Sequence, residues 1–213
     1  PGALREVRIC AIGYGKLAAH QVVSRLLPPE ELAKHDERKD SKIRDFVKRM
    51  LGFSKVSCFE SRPTPMAGLI EDTVLRFRQA ESRHLPVAVK LPEEPAVLTA
   101  DPVLIRHALF NLLVNAAQAT TDGEGGIEIS LERGEDKERN LPGWTLAVTD
   151  RGRGMPPEVM EKIFVPFYTT RSDGTGLGLP VVQHVALLHD GQVTVSSEPG
   201  HGTRFAMWLP DPV

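Results

Sequence analysis

Two asparagines, Asn111 and Asn115, stand one helical turn apart in the run Asn111-Leu112-Leu113-Val114-Asn115-Ala116-Ala117. That spacing puts both on one helix face, and His107 extends the face by a further turn. Asparagine is a poor residue for a helix interior, so a pair on one face needs a reason. Amide oxygens are hard ligands that suit Mg²⁺, an ion that keeps several waters and bridges phosphates. The plainer alternative is a pair of capped or solvated asparagines.

A second cluster is Asp150-Arg151-Gly152-Arg153-Gly154-Met155-Pro156, directly after the apolar stretch Leu146 to Val148. A carboxylate at a strand end, followed by two glycines, lets a ligand approach the backbone. Aspartate accepts hydrogen bonds only, so it can read an exocyclic amino group such as that of adenine. A simple Asp-Gly turn is the competing reading. A third cluster, Phe164-Val165-Pro166-Phe167-Tyr168, fits a packing hinge at the base of a lid. The fourth is Arg171-Ser172-Asp173-Gly174-Thr175-Gly176-Leu177-Gly178-Leu179, which opens a helix. Its glycines present backbone N–H groups, and the helix N-terminus adds partial positive charge, so together they suit phosphate. Arg171 is the basic partner for a terminal phosphate. The spacing is not that of a dinucleotide fingerprint. Gly13-Tyr14-Gly15-Lys16-Leu17 is not a P-loop either, because Leu17 replaces the hydroxyl residue and Cys10 stands where a glycine is required.

The elements that must hold these residues follow from periodicity. Apolar residues Leu4, Val7, Ala11, Tyr14, Ala18, Val22 and Leu26 predict a helix over about 3–27. Pro28-Pro29 breaks it, and a second helix follows to about Val56. Such a hairpin buries too little alone, so pairing two copies into a four-helix bundle is expected. Arg62 to Pro65 reads as a linker. Beyond it a helix is predicted over 66–82, with strands over 86–91 and 96–99. Asp101-Pro102 then starts a helix that ends before Asp122. Strands over 127–131 and 144–148 flank a polar hairpin loop, 132–141. A helix over 178–189 and strands over 192–197 and 203–209 close the chain. The fold class is therefore α+β: a helical hairpin over 1–61, then a sandwich over 62–213 of one mixed sheet with helices on one face.

Composition narrows the rest. The chain has 213 residues, 41% hydrophobic and 25% charged, with a formal net charge of -2. That balance gives no electrostatic case for nucleic acid or an anionic membrane. Cys10 and Cys58 are far apart and read as reduced thiols. No apolar run reaches the roughly 20 residues of a membrane span, so a cytoplasmic piece is expected, with any membrane anchor N-terminal to it.

The ordered set NLLVNAAQA, DRGRGMP, FVPFYTT and GTGLGL closely resembles the N, G1, F and G2 boxes of histidine kinase catalytic domains. Gly202-Thr203-Arg204-Phe205 looks like the same family's closing GTxF strand, and the resemblance covers about Pro63 to Val213. It implies an ATP-binding sandwich of the Bergerat type, with ATP and Mg²⁺ as ligands. Asn115 would hold the Mg²⁺, with Asn111 on the phosphate side. Asp150 would read adenine, with Gly152 and Gly154 shaping its pocket and Thr203 lining it. Phe167, Gly174, Gly176, Leu177 and Gly178 would form the lid, and Arg171 would meet the terminal phosphate. Gln118 stands where the family often has lysine. The segment Lys42 to Lys55 looks like the second helix of the family's dimerisation hairpin, which implies a homodimer and a response-regulator receiver domain as partner.

The phosphorylated histidine would then be His20, in Leu17-Ala18-Ala19-His20-Gln21. Gln21 departs from the acidic residue the family normally has there, which weakens general-base help. His35, beside Asp36, lies on the second helix. Two readings follow: a histidine autokinase passing phosphoryl to a receiver aspartate, or an ATP-binding scaffold without autophosphorylation. Related ATPases use a glutamate on the first-box helix to activate water, and His107 and Asn111 occupy those turns here.

Overall fold

The computed structural model describes residues 6–9 (backbone only), 59–81, 85–120, 125–136, 140–172 and 174–211. The chain divides into two units, Pro1–Cys10 with Ser61–Val213, and Ala11–Glu60. Residues 10–58 lie outside the described ones, and with them His20, His35 and most of the expected hairpin.

The first unit is built on a six-stranded sheet. Its strands run in the order β1 (Glu6–Ile9), β7 (Gln192–Glu198), β8 (Gly202–Pro210), β6 (Leu141–Asp150), β5 (Ile127–Asp136) and β3 (Val87–Lys90). Only β3 and β5 pair in parallel; the other neighbours are antiparallel, so the sheet is mixed as expected. A separate two-stranded ribbon joins β2 (Arg62–Pro65) to β4 (Val97–Ala100). The helices are α1 (Met66–Ala80), α2 (Pro102–Ala119), α3 (Pro157–Met160) and α4 (Gly178–Leu188).

Helix α2 is the centre of the helical layer. It packs against α1 on one side and α4 on the other, and against β5, β6 and β8. Its start follows the sequence closely: Asp101 Oδ1 accepts from Val103 N at 2.9 Å and Leu104 N at 3.2 Å, with Pro102 in the first turn. Leu104, Ile105, Ala108, Leu109, Leu112, Leu113, Ala116 and Ala117 are its buried stripe. Each large member buried contributes about 1.5–3 kcal/mol against exposure. The helix ends at Thr120, whose backbone N–H and hydroxyl both reach Ala116 O.

Several expectations change. Residues 6–9 form β1, not a helix. Glu6-Val7-Arg8-Ile9 satisfies a two-residue alternation as well as a helical one, and it pairs along β7, a strand that would otherwise be an open edge. Arg62 to Pro65 is not a linker but β2. Its two prolines cannot donate, which an outer ribbon strand tolerates. Thr64, buried between them, shares its one hydroxyl hydrogen between Arg62 O at 2.9 Å and Ala100 O at 3.1 Å.

The polar stretch 132–141 is strand rather than loop at both ends. Pairing continues to Asp136 opposite Leu141. Here the strands are held by charge: Arg133 lies 4.5 Å from the Trp144 ring centre and pairs with Glu94 and Asp211. The short α3 is not among the predicted elements. Pro157 at its start and Glu158 in its first turn were the signals.

Candidate nucleotide-binding site

Asp150 ends β6 and lies directly opposite Thr203 on β8, so the two side chains share one face of the sheet. Asp150 is only 3% exposed. Burial pushes its carboxyl above the usual carboxylate range, while hydrogen bonds from the Gly152 and Thr203 backbone pull the other way. The Gly152 bond is 2.9 Å, to Oδ1. A buried carboxylate held by two backbone donors keeps acceptor capacity for a ligand's amino group.

The chain after Asp150 is pressed between two other elements. Arg153 N donates to Ala119 O, at the end of α2, at 3.1 Å, and Gly200 N donates to Arg153 O at 2.8 Å. Gly154 has φ of +64°, and any Cβ there would run into the Glu198 carbonyl. That position requires glycine. The loop thus ties the Asp150 cluster to the asparagine helix.

Asn111 and Asn115 lie half-buried on α2. Asn111 Nδ2 donates to His107 O at 3.1 Å. The N-terminus of α4 meets this face: a Cβ on Gly178 would stand 3.3 Å from Asn111 Oδ1 and 3.8 Å from Asn115 Nδ2. Among the described residues no side-chain cap hydrogen bond closes that helix end, where Leu177 is the N-cap. Its first N–H groups therefore remain available to an anion. Asn115 Nδ2 is itself buried with no hydrogen-bond partner among the described residues. A buried amide donor left this way costs about 1–3 kcal/mol, which an acceptor such as a phosphate oxygen relieves.

Between the aromatic cluster and α4 lies a loop closed by its own backbone. Phe167 N donates to Gly176 O at 2.9 Å. Phe167 has φ of +70° and is 59% exposed. Gly176, with φ of +67°, leaves no room for a Cβ against the Phe167 backbone. Within the loop, Thr169 Oγ1 accepts from Arg171 N at 3.1 Å, and Gly174 N donates to Arg171 O at 3.3 Å.

The structure therefore brings Asn111, Asn115, Leu177 and Gly178 to one place, and Asp150, Gly152, Gly154 and Thr203 to another. Ala119 bridges the two. Phe167, Arg171, Gly174 and Gly176 sit in the loop above α4, and His20 is outside the described residues. Two polar residues with structural parts were missed. Ser197 is 5% exposed and bonds to Met155, Gly202 and Thr203. In sequence it reads as the polar end of a strand. His189 is 7% exposed and joins α4 to the cap of α2. Its only sequence signal was a histidine at a helix end.

Known proteins resemble this chain in sequence and in fold. Residues 100–213 match the family described as histidine kinase-, DNA gyrase B- and HSP90-like ATPase. The chain is 32% identical over 181 residues to the sensor histidine kinase ZraS of Salmonella typhimurium, covering 84% of this chain and 38% of that one. It is 28% identical over 207 residues to the sensory histidine kinase/phosphatase NtrB of Vibrio alginolyticus, covering 92% and 57%. It thus spans well under two thirds of these relatives. Among solved structures it is similar to the catalytic domain of histidine kinase ThkA, with TM-score 0.62 and 27% identity over 71% of this chain and 96% of that one. A mycobacterial sensor histidine kinase, MprB, gives TM-score 0.61 at 27% identity, covering 72% and 99%. The chain belongs to the histidine kinase-, DNA gyrase B- and HSP90-like ATPase family, whose domain binds ATP, and its catalytic domain is of the histidine-kinase type.

Proposed function

We propose that this chain is the kinase core of a sensor histidine kinase, transferring the ATP γ-phosphoryl to His20 and from there to a response-regulator aspartate. The observation that carries this reading is the seating of the uncapped α4 N-terminus against Asn111 and Asn115. A helix N-terminus facing a pair of amides is suited to a polyphosphate and its counter-ion. Asp150 would accept from the adenine amino group, with Gly152 and Gly154 admitting the base and Thr203 beside it. Gly174, Gly176 and Leu177 would cover the phosphates, with Phe167 at the hinge and Arg171 toward the terminal phosphate.

The residues present fit Mg²⁺ with ATP: Asn115 offers an amide oxygen ligand, and its buried, unpartnered nitrogen offers a donor to phosphate. Bound there, the ion would neutralise charge that develops on the phosphate oxygens. The chain's own part is positioning. A nitrogen lone pair of His20 attacks the γ-phosphorus, the bond to the bridging oxygen breaks, ADP leaves, and the imidazole sheds its proton. Helix α2 carries no glutamate, so the general base that related ATPases use to activate water is missing from it, which favours transfer over hydrolysis. The partner chain would be a second copy, through the hairpin, and the phosphoryl acceptor a receiver domain. Among the described residues no helix is long and apolar enough to cross a membrane.

Gln21, where an acidic neighbour is usual in the family, favours a second reading, an ATP-binding scaffold that does not autophosphorylate. Incubation with γ-labelled ATP and Mg²⁺ separates the two. Acid-labile, base-stable label on the wild type and none on His20→Ala is expected. Bound ATP with no label on the wild type would leave the scaffold.

A further inference from the structure

Ser197 lies at the end of β7, behind the Asp150–Thr203 pair. Its hydroxyl has three partners: Met155 N at 2.9 Å, Gly202 O at 2.9 Å and Thr203 Oγ1 at 2.9 Å. A hydroxyl has one hydrogen to give and two lone pairs. Met155 N–H can only donate, so Ser197 accepts from it. Gly202 O can only accept, so Ser197 spends its one hydrogen there. The contact with Thr203 then closes in one way: Thr203 donates its hydroxyl hydrogen to Ser197. Ser197 and Thr203 are each 5% exposed and Gly202 is buried, with Met155 half-buried, so leaving the bonds to Gly202 and Thr203 unmade is costly.

The consequence reaches the pocket. With its hydrogen committed backward, Thr203 Oγ1 has only lone pairs left to offer. It shares a sheet face with the Asp150 carboxylate, opposite it in register. A base entering there meets two acceptors and no hydroxyl donor. We infer that Ser197 is a positioning residue for base selectivity: by fixing the Thr203 hydroxyl as an acceptor beside Asp150, it makes the pocket take a 6-aminopurine and reject a 6-oxopurine. The inference rests on the adenine reading of Asp150 given above.

The test is titration of the full chain, with Mg²⁺, by ATP and by ITP, whose 6-oxo group replaces the 6-amino group. Wild type is expected to prefer ATP. In Ser197→Ala the Thr203 hydroxyl is free to turn and donate to a carbonyl, so the ATP-over-ITP preference falls by about tenfold. Ser197→Thr keeps the hydroxyl and is expected to restore the wild-type ratio, which a merely structural role would not require. Should Ser197→Ala fail to fold, Thr203→Val and Thr203→Ser decide. The valine variant loses preference by weakening ATP alone, and the serine variant keeps it. An unchanged ratio in Ser197→Ala, or in Thr203→Val if the alanine variant does not fold, overturns the proposal while ATP binding stands. ATP binding that is absent in wild type, or indifferent to Asp150→Asn, overturns the adenine reading and this inference with it.

Discussion

At the scale of single residues, Asp150 shows how a pocket is kept ready at a cost to the empty fold. Its carboxyl is pushed up by burial. A group whose folded pKa is raised favours the fold most below its unfolded value, and that contribution is lost as pH rises through the folded pKa. Ionising the buried group is therefore unfavourable in the empty fold, and a ligand's amino donor relieves that cost. Asn is a neutral near-isostere that can still accept from Gly152. In thermal unfolding of the ligand-free chain at pH 7, Asp150→Asn is expected to melt no lower than wild type, with the two converging toward pH 4. A clear loss of melting temperature at pH 7 would argue that the carboxylate is a structural anchor instead. The residue types of the site were legible because ligand chemistry restricts them: amides on one face, a lone acid after a strand, glycines before a helix. Ser197 was not legible, because a serine near a strand end has no pattern. Only its three partners, brought together from the Asp150 loop and β8, show what it does.

At the scale of elements, the proposed phosphate side of the site depends on how α4 lies along α2. The two helices meet at both ends: Gly178 against Asn111 and Asn115 at one, His189 against Asp101 at the other. His189 Nδ1–H donates to Val185 O at 2.7 Å and Nε2 accepts from Asp101 N at 2.9 Å, which fixes the neutral ring in one tautomer. Burial lowers its pKa; the Val185 hydrogen bond and the charges of Asp101 and Asp190 oppose that. A lowered folded pKa means stability that is complete above the ordinary histidine value and is lost as pH falls through the folded one. Urea unfolding at pH 7.5 should place His189→Asn about 1 kcal/mol below wild type, with a smaller gap at pH 5.5. An equal gap at both would show that the protonation state is irrelevant to the pin. Elements with a strong periodic stripe, such as α2, were readable from sequence with their caps. β1 and β2 were not, since their short segments fit two periods or carry prolines, and only long-range pairing decides them. The outer halves of β5 and β6 were hidden for a different reason. Glu132, Arg133 and Glu135 face solvent, and Arg133 with Trp144, Glu94 and Asp211 supplies the order that burial usually signals.

At the scale of the molecule, the chain divides at residues 10 and 60 into a catalytic unit and a second unit. The residues proposed to bind ATP, Asn111 to Thr203, all belong to the first. Nucleotide binding and the proposed phosphoryl acceptance are therefore separable properties: the former is proposed for Asn111 to Thr203, the latter for His20. Calorimetric titration of ATP with Mg²⁺ into the intact chain, wild type beside Asp150→Asn, tests the pocket most directly. The account predicts saturable binding at one site per chain in the wild type. It predicts affinity weaker by roughly a hundredfold in the variant, the loss of one hydrogen bond to a charged acceptor and its replacement by a mismatched amide. Equal affinity in the two proteins, both folded, would contradict it.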